Sequence, residues 1–211
     1  MPPGTRALVI ELDELGFRTL LRDRARIGLA RASGVARPNA IWLAWSPEPL
    51  TTVSWTEAYS VYAAAIPERS GAAIFAAASA PALERAVHPF LGDAFAPPVV
   101  ANDLPPGHYG IRNVSPSARA FGLLQAAAIG GTVITSLLNA VVLPPGFAAD
   151  FTGFDRLYLW VQGGISGATA IAEIDRPVTT IVYAGGEYVK FYRYDPRTSL
   201  FIPSSGLTRA H

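Results

Sequence analysis

Short apolar runs rich in β-branched and aromatic residues, cut by glycine and proline, dominate the chain. YGIRNV, AFGLLQAAA, TVITSLLNAVVL, RLYLWVQ, ATAIAEI, TTIVYA, EYVKFYRY and SLFIP follow one another. From about residue 90 onward, turn signals recur roughly every ten residues, the spacing of an all-β sandwich or barrel. Gly-Gly pairs stand in IGGT (129–132), QGGI (162–165) and AGGE (184–187). Each predicts a hairpin, because both turn positions accept positive φ there without steric cost. PPG occurs at 2–4, 105–107 and 144–146 and marks strand ends, since proline cannot donate to a ladder. The expected fold is all-β and mainly antiparallel, a β-sandwich or jelly-roll-like domain.

Helix is expected in few places. Residues 81–90, PALERAVHPF, suit a short one. Residues 11–32 carry Leu12, Leu15, Leu20, Leu21, Ile27 and Leu29 at rough amphipathic spacing, with Gly16 and Gly28 as alternative strand breaks. Residues 39–63 hold three of the four tryptophans. As strands, Ile41, Leu43 and Trp45 share one face, and Val53, Trp55, Glu57, Tyr59 and Val61 share another. As a helix, Ser54 and Glu57 would form a capping box. Valine, tryptophan, threonine and tyrosine favour the strand. An N-terminal Arg-rich segment (1–38) is expected to pack on the main β-sandwich domain (39–205), followed by a tail (206–211).

Charge changes this picture in one respect. Half of the 211 residues are hydrophobic and 16% are charged, against roughly 25% in an ordinary soluble domain. Such a chain is expected to bury itself in a cavity-bearing fold or to form a homo-oligomer. The net charge of +1 provides no field for nucleic acid. Six arginines between Arg18 and Arg37 face one acid, Asp23, and suit a solvated helix face paired with Glu11, Asp13 or Glu14. The absence of cysteine removes disulfides and thiolate chemistry. Residues 120–149 carry no charge, but Gly130-Gly131 and Pro144-Pro145 favour two strands over a membrane helix. With no signal-like N-terminus, a cytoplasmic location is expected.

The candidate chemistry lies in two aromatic clusters. Glu57 between Trp55 and Tyr59 is a carboxylate on an otherwise apolar face. It suits hydrogen bonding to sugar hydroxyls, general-acid work with a raised pKa, or pairing with an arginine such as Arg69. In EYVKFYRY, Tyr188, Lys190, Tyr192 and Tyr194 share the face opposite Val189 and Phe191, and form an expected wet contact surface for a carbohydrate, a lipid head group or a protein. His108, in PPGHYG, is a candidate general base. His88, His108 and His211 show no metal-ligand spacing, and no metal or cofactor is expected. Phosphate-binding and nucleophile-elbow motifs are missing from the sequence.

In these general features the chain resembles cytosolic β-sandwich lectins and actinoporin-like cytolysins, a resemblance of class that implies a binding role. The leading expectation is a non-catalytic binding protein using aromatic faces. The alternatives are a metal-independent enzyme acting on a small hydrophobic substrate through Glu57 and His108, and a self-assembling structural protein.

Overall fold

The computed structural model of the chain describes residues 4–32, 37–171, 174–183 and 186–205. Its first half contains β1 (Thr5–Glu11), α1 (Glu14–Arg22), β2 (Ala25–Ala32), β3 (Ala40–Ile41), β4 (Leu43–Trp45), β5 (Leu50–Thr56), β6 (Ser60–Ala64), β7 (Ala76–Pro81), β8 (Ala86–Phe90) and β9 (Val99–Val100). There follow β10 (His108–Asn113), β11 (Arg119–Ile129), β12 (Thr132–Leu137), β13 (Val141–Leu143), β14 (Ala148–Thr152), β15 (Arg156–Gly163), β16 (Thr169–Ala170), β17 (Val178–Val182), β18 (Val189–Asp195) and β19 (Leu200–Pro203). The fold is all-β and sandwich-like.

A nine-stranded sheet forms one layer, with β19, β18, β1, β5 and β11 hydrogen-bonded in that order and β6, β7, β12 and β13 completing it. Two four-stranded sheets, β17-β15-β2-β4 and β14-β10-β8-β9, supply the facing side chains. One apolar cluster joins Leu8, Ile10, Val53, Phe121 and Leu123 of the large sheet to Ile27, Leu29, Leu157 and Ile181 of one small sheet. The same cluster takes in Phe90, Ile111 and Phe151 of the other. Pairing is mainly antiparallel, with β1–β18 and β8–β10 parallel. Residues 1–38, expected to pack on the main domain, contribute β1 between β5 and β18 and β2 between β15 and β4.

Strand β11 organises the large sheet. On one edge, Trp55 of β5 lies opposite Ala127, and Ser60 of β6 lies opposite Leu124. Four residues, 56 to 59, therefore stand against two, 125 and 126. The β5–β6 segment is one long strand interrupted by a wide bulge, which ejects Glu57 and Tyr59 from the ladder. The strand expectation for this region holds, with the bulge where an unbroken strand was anticipated. On the opposite edge, β12 and β13 also lie end to end. Asn139 between them accepts from Leu123 N through its side chain and from the Tyr62 hydroxyl through its carbonyl. Gly122 is required there, since a Cβ would collide with Asn139 and Tyr62.

The turn signals carry over unevenly. Gly130 and Gly131, at φ of 55° and 88°, close the β11–β12 hairpin, and the uncharged residues 120–149 form strands β11, β12, β13 and the start of β14 with the turns between them. Among the described residues no helix is long and apolar enough to cross a membrane. QGGI does not close a hairpin: β15 pairs with β17 and β2, while β16 pairs with β3. Nor do β17 and β18, which flank AGGE, pair with each other; they belong to different sheets, and Ala184 and Gly185 lie outside the described residues. Residues 81–90 are not a helix, because β8 is drawn into a ladder with β10 and β9. The N-terminal helix is real but short. Asp13 caps it by accepting from Gly16 N at 2.7 Å, and Arg24, at φ 50°, follows its end.

His88 is buried on β8. Its Nε2 accepts from Leu83 N at 3.0 Å, and its Nδ1 donates to Gly110 O at 2.9 Å. Burial holds its pKa below the ordinary value, against the opposing pull of the Gly110 carbonyl. A second ring proton would confront the Leu83 N–H. Because the folded-state pKa is depressed, this contribution to stability is complete above the unfolded value of 6.5 and is lost as pH falls from there toward the folded pKa. Melting temperature should therefore fall between neutral pH and mildly acidic pH. A His88→Gln variant should show a flatter profile over that window, as thermal melts across pH would reveal.

Candidate functional site

The inward face of β2 reads Ile27, Leu29, Arg31. The third position carries a guanidinium where the pattern supplies an aliphatic side chain, and Arg31 is 1% exposed. Its charge is met from several sides. Nη1 donates to Gln125 Oε1, and Nη2 donates to the Phe154 carbonyl. Nη2 also lies 3.2 and 3.3 Å from the two carboxylate oxygens of Glu57. Its Cζ stands 5.4 Å from the Trp42 ring centre and 5.6 Å from those of Trp55 and Phe154, within cation–π range.

Each partner is positioned by a local feature. Gln125 occupies the stretch of β11 opposite the bulge. It donates through Nε2 to Thr56 O at 2.6 Å, and its carbonyl accepts from Trp42 Nε1. It thereby satisfies groups the interrupted ladder leaves open. Phe154 lies between β14 and β15, where the chain passes from one small sheet to the other. Glu57 reaches inward from the bulge and accepts from Trp55 Nε1 at 3.3 Å and from the Tyr59 hydroxyl. Arg6, on β1 beside Trp55, approaches Glu57 at 3.2 Å.

Burial disfavours the charge on Glu57, but Arg31, the Tyr59 hydroxyl and Arg6 together outweigh it and hold the carboxyl below its ordinary range. This direction is opposite to the raised pKa expected for Glu57, and its partners are Arg31 and Arg6 rather than Arg69. Burial raises the phenol pKa of Tyr59 well above its usual value, and that of Tyr183 likewise.

Above this network lies an open cleft of about 400 Å³ lined by Arg6, Glu57, Tyr59, Glu84, Tyr109, Phe154, Asp155 and Tyr183. It forms where the bulge of the large sheet meets the passage between the two small sheets. Tyr59 packs edge-on against Tyr109 at 5.4 Å. Tyr183 anchors its hydroxyl on Ala7 O at 2.7 Å, with Arg6 and Lys190 5.4 and 5.6 Å from its ring centre. Glu84, beyond β7, accepts from Gly107 N.

The first sequence cluster therefore converges, with Glu57 and Tyr59 in the cleft and Trp55, 3% exposed, in the core beneath. The second cluster does not form a wet face. Tyr192 and Tyr194 are 8% and 4% exposed, because they share the inward side of the large sheet with Ile10. Tyr188 is exposed, and Lys190 pairs with Glu187 at 2.9 Å. His108 bonds Asp150 through Nδ1 at 2.6 Å, next to Tyr109 on β10 and outside the cleft lining. Of the N-terminal arginines, Arg18 pairs with Glu14 as expected. Arg31, Arg6, Gln125, Phe154 and Tyr183 were not anticipated. Only the Ile27-Leu29-Arg31 alternation carried a signal for any of them. Among the described residues no three His, Asp or Glu side chains converge to hold a metal ion.

Compared with models of known protein families, with curated proteins and with solved structures, the chain matches none.

Removing one member of a buried ion pair strands the other charge, at roughly 3–5 kcal/mol. Glu57→Ala should approach that cost, because Arg31 has no access to water. Arg31→Met should cost less, because Glu57 retains Arg6 and a side chain 32% exposed. Denaturant titration of both variants and of the double variant measures the difference. A Glu57→Ala loss smaller than that of Arg31→Met would contradict the arrangement. Trp55→Ala, emptying a core site, should cost roughly 3–5 kcal/mol.

Proposed function

We propose that the protein is a non-catalytic binding protein whose cleft takes a small polyhydroxylated ligand of the carbohydrate class. The observation that carries this reading is the lining itself. Tyrosine rings from three separate stretches of the chain (Tyr59, Tyr109 and Tyr183) and the carboxylates of Glu84 and Asp155 surround one open depression. Rings offer flat apolar surface to a sugar face, while carboxylates and phenols exchange hydrogen bonds with its hydroxyls. Glu57 supports the wall rather than the chemistry. Its oxygens already accept from Arg31, Trp55 and Tyr59, and its depressed pKa suits a fixed anion better than a proton donor. The charged rim favours a polar ligand over a small hydrophobic one.

Calorimetric titration with a panel of neutral mono- and disaccharides tests this. At least one should bind saturably, and Tyr109→Ala should weaken it about tenfold or more in a variant that keeps the parent's far-ultraviolet circular dichroism spectrum. Tyr109 is the informative position because it lines the cleft without joining the Arg31 network. No binding across the panel, or equal binding by the variant, would overturn the reading.

A further inference from the structure

Strand β12 is an edge of the large sheet, and β11 is the only described strand that pairs with it. Thr132, Val133, Ile134 and Thr135 are all exposed, Val133 to 70%. The residues flanking a two-residue hairpin turn form a hydrogen-bonded pair, here Ile129 and Thr132. Alternation then turns the N–H and C=O groups of Val133 and Thr135 away from β11.

Other edges carry the features that blunt edge-to-edge pairing. β9 and β4 are two and three residues long. β7 and β19 end in Pro81 and Pro203, and β14 contains Asp150. β17 is tied to β19 through the Thr179 hydroxyl and the backbone of Phe201. β12 has no charge, no proline and no bulge, and it lies within residues 120–149, where no charge occurs.

We propose that β12 pairs antiparallel with β12 of a second copy of this chain, joining two large sheets across a twofold axis at Ile134. In this register Val133 lies opposite Thr135 of the second copy, so the outward backbone groups of each satisfy those of the other. Ile134 faces its own counterpart, and Thr132 faces Ser136 of the second copy. A second copy suits this edge because an uncharged strand meets no like-charge repulsion from itself, and because a twofold contact needs one self-complementary patch.

Sedimentation equilibrium over a hundredfold dilution from micromolar concentration tests the pairing. The parent should show a species of twice 22.4 kDa. Ile134→Lys places like charges at the axis, and Thr135→Pro removes an N–H that bonds only across the interface. Each should weaken association by about tenfold or more, at a melting temperature near that of the parent. Val100→Lys on exposed β9 and Tyr109→Ala in the cleft should leave association unchanged. A parent that stays monomeric overturns the proposal, as does association that survives both β12 substitutions. If one β12 variant unfolds, the other decides.

Discussion

A guanidinium sealed from water forfeits several kcal/mol of hydration unless hydrogen bonds and a counter-charge replace the solvent. Arg31 is sealed in this way, and the surrounding architecture is arranged to compensate it. The counter-charge must come from the opposite layer, and no regular ladder position on β5 or β6 supplies it. The bulge supplies it by turning Glu57 inward. Its partner Gln125 stands where the interrupted ladder would leave Thr56 O unpaired. The third acceptor, Phe154 O, belongs to the passage between the two four-stranded sheets, so the same cation ties the large sheet to the seam between them. The three aromatic rings around it exclude water, which strengthens each of these contacts.

The cleft is the outward side of this arrangement. A layer made of two small sheets leaves a seam, and a ladder that opens at the seam cannot fill it with regular side-chain packing. Tyrosines suit the boundary because their rings extend the core while their hydroxyls face polar partners. Floor and rim thus have different tasks. Trp55, Trp42 and Arg31 set the shape from below, while Tyr109, Glu84 and Asp155 line the opening.

Strand content was legible because β-branched and aromatic runs, proline marks and the Gly130-Gly131 turn all indicate the pleated chain. That Trp55, Glu57 and Tyr59 lie together followed from alternation. The tyrosines of β18 misled because their spacing identifies a shared face without saying which way it points. The parallel pairing of β18 with β1, a partner nearly the whole chain away, turns that face inward. Residues 81–90 misled because helical local preference yielded to a ladder with β10. Arg31 lay within an apolar alternation, but composition grouped it with surface arginines. Arg6, Gln125 and Phe154 could not be read locally, because each joins the site through contacts far apart in the chain.

The bulge between β5 and β6 also has an arithmetic of its own. It adds an even number of residues relative to β11, so Val53 and Trp55 before it and Val61 and Ala63 after it all enter the same core. A strand's two faces exchange with every single-residue step. Loss or gain of one residue here would turn β6 inside out and expose its apolar side chains. Loss of two would preserve the packing, restore an ordinary ladder and erase the wall that carries Glu57 and Tyr59. Length variation at this point is therefore quantised: descendants of this sequence can trade the cleft for a plain sandwich only in steps of two residues.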